Sequence, residues 1–256
     1  VRYVNWQGGF VTGDLGKTYS GPTSSTEVST QVADALPVSL TLMVYAQIIA
    51  LGLAIPLGVA AAYRAGGWLD RLISSSSFLF LALPAFVLGF MLSYYVRFKM
   101  GLFRTRGGYV PLWEDPVTNF QFMFLPAVSL ALGQVAIYAR LLRADMIATL
   151  QQDFITMARA KGISTQRILW RHALRPSSIT LLTAAGLNIG TLIGGALVIE
   201  VVFQLPGMGL LAASAIGGHQ QVAVQSIVAI FAVLYVAVNV FVDLAYTVVD
   251  PRIRRA

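Results

Sequence analysis

The chain is 256 residues long, 57% hydrophobic and only 11% charged, against roughly 25% charged in an ordinary soluble domain. So few charges cannot cover a water-facing surface and so much apolar side chain cannot stay unburied, which excludes a soluble enzyme and a disordered chain alike. The absence of cysteine removes disulfide scaffolds and thiolate metal sites, and two distant histidines, His172 and His219, do not make a histidine-rich centre.

In chain order, residues 1–34 form a polar, Gly/Ser/Thr-rich segment with no hydrophobic run. Uncharged stretches follow at 35–63, 72–96, 116–139, 176–199 and 201–242. Each is longer than the ~20 apolar residues a helix needs to cross a bilayer core. The last opens with a polar Pro/Gly-rich turn containing Gln204, Pro206, Gly207, Gly217, Gly218 and His219, so it holds a single span from about Val222. The class is therefore all-α integral membrane. Its predicted spans are 36–63, 73–96, 120–146, 177–201 and 222–249, with a loop at 147–175, a turn at 200–221 and a tail at 250–256.

Orientation follows from the basic residues. One set of connections carries Arg64, Arg71, Arg140, Arg143, Arg159, Lys161, Arg167, Arg171, Arg175, Arg252, Arg254 and Arg255. The other carries Arg2, Lys17, Arg97, Lys99, Arg104 and Arg106, matched by Asp14, Glu27, Asp34, Glu114, Asp115 and Glu200. The net charge of +7 thus lies on the first face, which is cytoplasmic, and it speaks for a membrane rather than nucleic acid as partner. The C-terminus falls inside and residues 1–34 fall outside. Those residues cannot translocate unaided, so a preceding helix is expected, six in all; a cleaved signal peptide is the alternative.

The cytoplasmic connection 140–175 reads as helical. Asp153 is placed to cap a short helix ending at Lys161, with Phe154, Met157 and Ala158 on one face. Gly162 ends it after the basic Arg159 and Lys161. Ser164 or Thr165 caps a second helix with Ile168, Leu169 and Trp170, stopped by Pro176. Such a helix–Gly–helix either anchors on anionic lipid or offers a surface to a cytoplasmic partner.

Gly186, Gly190 and Gly194 recur at spacing four on the 177–201 span, where a stripe of small residues lets another backbone approach. Packing within the subunit and packing on a second subunit both fit. Pro56, Pro84 and Pro126 lie inside spans and kink helices or open cavities. Gln47, Gln134, Asn188, Gln225 and Asn239 are the candidates for the bundle interior. Glu200 and Asp243 sit close enough to the interfaces for snorkelling or a local ion pair to account for them. Residues 11–18, VTGDLGKT, end like a phosphate-binding loop but have Val11 where the motif needs glycine, and no apolar strand precedes them. No convergent catalytic side chains are present.

Four stretches then carry a family resemblance: GDLGKTY at Gly13–Tyr19; LPVSLTL and PLGVAAA at Leu36–Leu42 and Pro56–Ala62; ARAKGISTQRILWRHALRP at Ala158–Pro176; and GALVIEVVFQLPGMGLL at Gly195–Leu211. In these the chain resembles the membrane permease subunit of bacterial binding-protein-dependent ABC importers, in the first-permease branch of the dipeptide/oligopeptide/nickel group. The cytoplasmic stretch is similar to the family's EAA loop. Thr156, Met157 and Ala158 stand where the general pattern has Glu-Ala-Ala, Gly162 and Leu174 are kept, and Pro176 comes one residue late.

The resemblance implies a type I ABC importer permease bundle whose loop 153–175 docks on an ATPase subunit through Phe154, Met157, Ala158, Arg159, Ala160, Lys161, Gly162 and Ile163. It implies two ATPase subunits holding ATP and Mg, a second, different permease, an extracytoplasmic substrate-binding protein, and no cofactor on this chain. Peptide import into the cytoplasm is the expected function. Nickel or another small solute as cargo, or a membrane assembly subunit that moves nothing, are the alternatives. From topology, Glu200, Gln204, Pro206 and Gly207 are expected at an outer gate or ligand contact.

Overall fold

The computed structural model of the protein describes residues 8, 10, 13–19, 25–103 and 108–249. The tail 250–256 and the side chain of Asp243 lie outside the described part. A small antiparallel pair comes first, β1 (Lys17–Tyr19) and β2 (Ser25–Glu27), with Thr18 opposite Thr26. The helices follow: α1 (Val28–Tyr63), α2 (Trp68–Ala82), α3 (Ala85–Lys99), α4 (Pro116–Leu150), α5 (Asp153–Ala160), α6 (Thr165–Phe203), α7 (Met208–Gly217) and α8 (Gln221–Val249). Four helices are long and apolar enough to cross a membrane, and five spans result if the bent pair α2–α3 counts as one.

Helices α1 and α4 are longer than a span requires. At 1.5 Å per residue the 36 residues of α1 and 35 of α4 reach well past a hydrocarbon core of about 30 Å. Their common seam is made of small side chains. Ala46, Ala50, Ala54 and Gly58 recur every four residues on α1 and are all buried. They meet Ala127, Ala131 and Ala139 of α4, which share the same core. At Gly58 an added Cβ would stand 3.0 Å from the carbonyl oxygen of Ala139 and from Leu142 Cβ. Backbone proximity of this kind replaces the hydrophobic driving force that lipid does not supply between helices.

The expected span at 73–96 is broken. Between α2 and α3 the chain turns by 104°. Leu83 is extended, as a residue before proline prefers, and Pro84 has no N–H to continue the ladder. Pro56 and Pro126, by contrast, lie within α1 and α4.

Pro176 does not stop a helix: α6 runs on through it. The turn at Ile168–Ala173 just before it widens to π geometry, which shifts the register where proline brings no donor and its ring would press on an earlier carbonyl. The expected turn at 200–221 contains the helix α7, which packs with the start of α1 and α8 around Val28, Val32, Met208, Ala215 and Ile227. Residues 13–18 of the phosphate-loop look-alike lead into a hairpin, with Gly16 N–H donating to Asp14 Oδ1 at 3.0 Å and Lys17 and Thr18 in β1.

Candidate functional site

Two ends of the bundle carry the candidate residues. At the first, α5 follows α4 and packs on the first turns of α6. Asp153 is its first residue rather than its cap; the cap position is held by Gln152, whose side chain makes no capping bond. The far end closes as a Schellman turn. Ile163 N–H donates to Ala158 O at 3.2 Å and Gly162 N–H to Arg159 O at 2.9 Å, with Gly162 left-handed at φ +73°.

The face assignment within α5 differs from the sequence expectation. Ala158 is 7% exposed and Ile155 0%, both packed into the core with Met146, Ile168, Leu169 and Ala173. Phe154 and Met157 are 44% and 61% exposed, and Arg159, Ala160 and Lys161 are exposed with them. The spacing 154–157–158 fits one helical stripe, but Ile155 wins the inward position and pulls Ala158 with it, because 155 and 158 lie one turn apart. What faces outward is an apolar edge, Phe154 and Met157, bordered by basic side chains.

The base of this end is held by side chains outside the sequence motifs. Asp70, buried at the start of α2, takes Nε of Arg143 at 2.5 Å and Nη2 at 2.6 Å, plus Gly66 N–H at 2.8 Å. Thr149 and Ser177 pair their hydroxyls at 2.9 Å between α4 and α6. A carboxylate in the first turn of a helix, with arginines on the facing segment, was the available signal for the Asp70 pair.

At the opposite end the turn between α6 and α7 is built around Glu200. This residue is 0% exposed, so it does not snorkel, and no cation pairs with it among the described residues. Its Oε2 accepts the N–H of Gly209 at 2.6 Å, while Oε1 has no hydrogen-bond partner among the described residues. Ser39 Oγ of α1 accepts the N–H of Met208 at 2.9 Å. Gln204 closes α6 in the left-handed region at φ 54° and is exposed, as is Pro206. Gly207 is buried against the Glu200 carboxylate, and a Cβ on Gly209 would come within 2.5 Å of Leu197 Cα. Glu200 and Gly207 thus fasten α7, while Gln204 and Pro206 are the outward-facing members of the set.

Asp115 caps α4 through the hydroxyl of Thr118 at 2.6 Å and the N–H groups of Val117 and Thr118. These bonds, the Thr118 hydroxyl foremost, hold its carboxyl below the usual carboxylate range.

Between the ends, Gln47 and Gln134 do enter the bundle. Gln47 Nε2 reaches Tyr138 OH at 3.4 Å and Gln134 Nε2 reaches Thr191 Oγ1 at 3.4 Å. Asn188 and Asn239 bond back to their own helices, and Gln225 is exposed. In the glycine stripe, Gly186 faces Val242 and Gly190 faces the Tyr235 ring, both on α8, while nothing lies within 4 Å of a Cβ at Gly194. Two of the three glycines are therefore used inside the subunit.

An apolar multi-span bundle with a short amphipathic helix packed at one end and a buried helical turn at the other defines an integral membrane subunit. The sequence matches the profile of binding-protein-dependent transport system inner membrane components over residues 54–255. It is 36% identical over 254 residues to a peptide transport system permease protein of Brucella abortus, covering 99% of this chain and 80% of that protein. It is 35% identical over 254 residues to the oligopeptide transport system permease protein AppB of Bacillus subtilis, with the same coverage of 99% and 80%. A chain of the methionine ABC transporter MetNI superposes with a TM-score of 0.70 at 16% identity, over 86% of this chain and 97% of that one. This chain belongs to the family of binding-protein-dependent transport system inner membrane components and has the type I ABC importer permease fold.

Proposed function

We propose that this permease subunit carries dipeptides or oligopeptides into the cytoplasm and that α5 and the turn after it, residues 153–175, couple it to the ATPase. The observation that carries the coupling is the division of α5. Ile155 and Ala158 fix its inner side to the bundle, so a push on Phe154 and Met157 is a push on α4 and α6. A rigid lever needs such a fastened side and a free apolar edge. Arg159, Ala160, Lys161, Gly162 and Ile163 complete the docking segment.

In this reading the ATP and Mg sit on two separate ATPase subunits and this chain binds no cofactor itself. A second, different permease completes the pathway. The α5 end and the C-terminus face the cytoplasm, which the excess of arginine and lysine there supports. The binding protein docks outside on segments 1–34, 97–121 and 200–221, where Gln204 and Pro206 are exposed and Glu200 and Gly207 secure the gate element behind them. The peptide cargo follows the names of the Brucella and Bacillus relatives.

The test is affinity purification of the chain, tagged at Ala256, from its native membrane in mild detergent, with mass spectrometry of what accompanies it and uptake of a labelled dipeptide by the same cells. Recovery of a second permease and ATPase subunits, reduced by Met157→Ser, is the expected result. Recovery of this chain alone overturns the coupling reading. A complete complex without peptide uptake overturns the cargo and leaves the coupling standing.

A further inference from the structure

A cavity of about 230 Å³ opens between α2 and α4 near the α5 end, lined by Ile73, Ser74, Phe78, Leu81, Arg140 and Arg143 among others. Its two arginines are in different states. Arg143 gives its Nε and Nη2 to Asp70, whose two oxygens also take Gly66 N–H and the Ser74 hydroxyl. Arg140, about one turn further along α4 toward the bundle centre, has no ion pair or hydrogen bond among the described residues. All five of its donors are uncommitted, and no carboxylate is among the residues that line the cavity.

The other walls are apolar. Phe78 and Leu81 are 62% and 40% exposed. From Ile73 to Leu81 the α2 wall rises about 12 Å at 1.5 Å per residue. Because Asp70 contacts Arg143, Ile73 lies at the charged end and Leu81 toward the middle of the bundle. The cavity is therefore cationic at its α5 end and apolar toward the middle of the bundle.

Each simpler occupant matches only half of this. A soluble anion meets Arg140 but leaves the Phe78–Leu81 wall bare. An apolar helix covers that wall but buries an unpaired guanidinium, which costs several kcal/mol. An amphiphile with one anionic head and an alkyl chain satisfies both at once, and basic recesses between spanning helices on the cytoplasmic side are suited to anionic headgroups. We infer that this cavity is a binding site for an anionic phospholipid, with its phosphate on Arg140 and the free Nη1 of Arg143 and an acyl chain along Phe78 and Leu81.

The placement has a consequence for motion. Helix α2 is the near half of the pair bent by 104°, and it meets α4 through the Asp70–Arg143 bond and this cavity. A lipid seated there bridges the two helices just beyond that bond. Transport then depends on anionic lipid, and the side carrying Arg140 is the leaflet from which the lipid enters. The inference rests on the orientation given above and not on the cargo.

The test uses the purified importer complex. It is exchanged from vesicles of phosphatidylglycerol mixed equally with phosphatidylcholine into detergent, and retained lipid is quantified by native mass spectrometry. Wild type is expected to keep phosphatidylglycerol in preference to phosphatidylcholine. Arg140→Gln should lower that preference about fivefold, the equivalent of one surface cation at about 1 kcal/mol, while Arg140→Lys keeps most of it. Phe78→Ser should reduce retention of both lipids. Equal retention of the two lipids by wild type overturns the inference without any variant. So does an unchanged preference in Arg140→Gln, or release of the lipid by millimolar inorganic phosphate, which would mark a soluble-anion site. If Arg140→Gln does not assemble, the wild-type preference and the Arg140→Lys variant decide. A retained lipid in a complex that imports no peptide would sink only the cargo assignment.

Discussion

The carboxylate of Glu200 occupies the space that a side chain on Gly207 would fill. Glu200 is the last buried residue of the long α6, and Gly207 stands immediately before α7, so the pair sets how closely the second helix folds back on the first. The Gly209 N–H on Oε2 and the Met208 N–H on Ser39 fix the same turn from α6 and from α1. A buried carboxyl group with one oxygen unpartnered among the described residues is tolerated there because its other oxygen takes an N–H from the first turn of a helix.

Gly207→Ala should therefore force the turn open. Crowding of this kind typically costs about 1–3 kcal/mol. Gly209→Ala should be worse, since it meets the backbone of Leu197 rather than a side chain. Glu200→Gln keeps the shape and an acceptor for Gly209 and should be mild. Thermal unfolding of the purified complex followed by size exclusion ranks the three, and a Gly209→Ala protein as stable as wild type would show that the turn does not hold α7.

The inner and outer sides of α5 give separable phenotypes. Ala158→Asp places a charge among Ile155, Met146 and Leu169 and should cost roughly 3–5 kcal/mol as an uncompensated buried charge, so the loss appears in stability and yield. Met157→Ser alters only an exposed edge and should leave stability within about 0.5 kcal/mol while lowering transport-coupled ATP hydrolysis. The measurements are melting temperature and ATPase stimulation on the same preparations. Equal stability of the two variants would contradict the assigned faces.

Much of this was legible in the sequence, and the exceptions have a common cause. Charge-free runs locate the apolar helices because a bilayer leaves no other place for them, and the α5–Gly162 break was readable from helix-stop chemistry. Burial along α5 was not: residues 154, 157 and 158 share a stripe on paper, and only the competing Ile155 decides which side turns inward. The same holds for Glu200. Its position near a helix end fits snorkelling, and it is a following turn, brought back by Gly207 and Gly209, that buries it. The seam Ala46–Ala50–Ala54–Gly58 carried as clear a spacing-four signal as Gly186–Gly190–Gly194, yet alanine is common enough in apolar helices to hide it. Pro176 does not end its helix because a proline stop presumes an α register, and the π turn before it supplies another.

Gly162 tests the turn chemistry alone. Nothing lies within 4 Å of an added Cβ and its φ is +73°, so a substitution there pays for backbone conformation and not for space. Gly162→Ala should cost about 1–2 kcal/mol. Gly162→Asn should recover much of that, since asparagine visits the left-handed region more readily. Reduced ATPase stimulation in the alanine variant with partial recovery in the asparagine variant is the expected order. The reverse order would mean that side-chain bulk at the docked surface, rather than the turn, is what the site senses.

The Asp70–Arg143 pair joins the α1–α2 connection to the far end of α4, because the same carboxylate that receives two guanidinium N–H groups also receives the Gly66 N–H. Asp70→Asn should free that connection and leave Arg143 with a weakened partner. Hydrogen bonds to charged groups are each worth about 1.5–3 kcal/mol, but the Arg143 side chain is 30% exposed against 6% for Asp70. Solvent screens part of the interaction, and a double-mutant cycle with Arg143→Gln should return about 1–2 kcal/mol of coupling. Burial of the carboxylate also makes the pair insensitive to moderate salt. The cycle run in 0.1 M and 0.5 M sodium chloride should give the same value within error. A coupling that disappears at the higher salt would place the pair in open solvent and remove it as the fastening between α2 and α4.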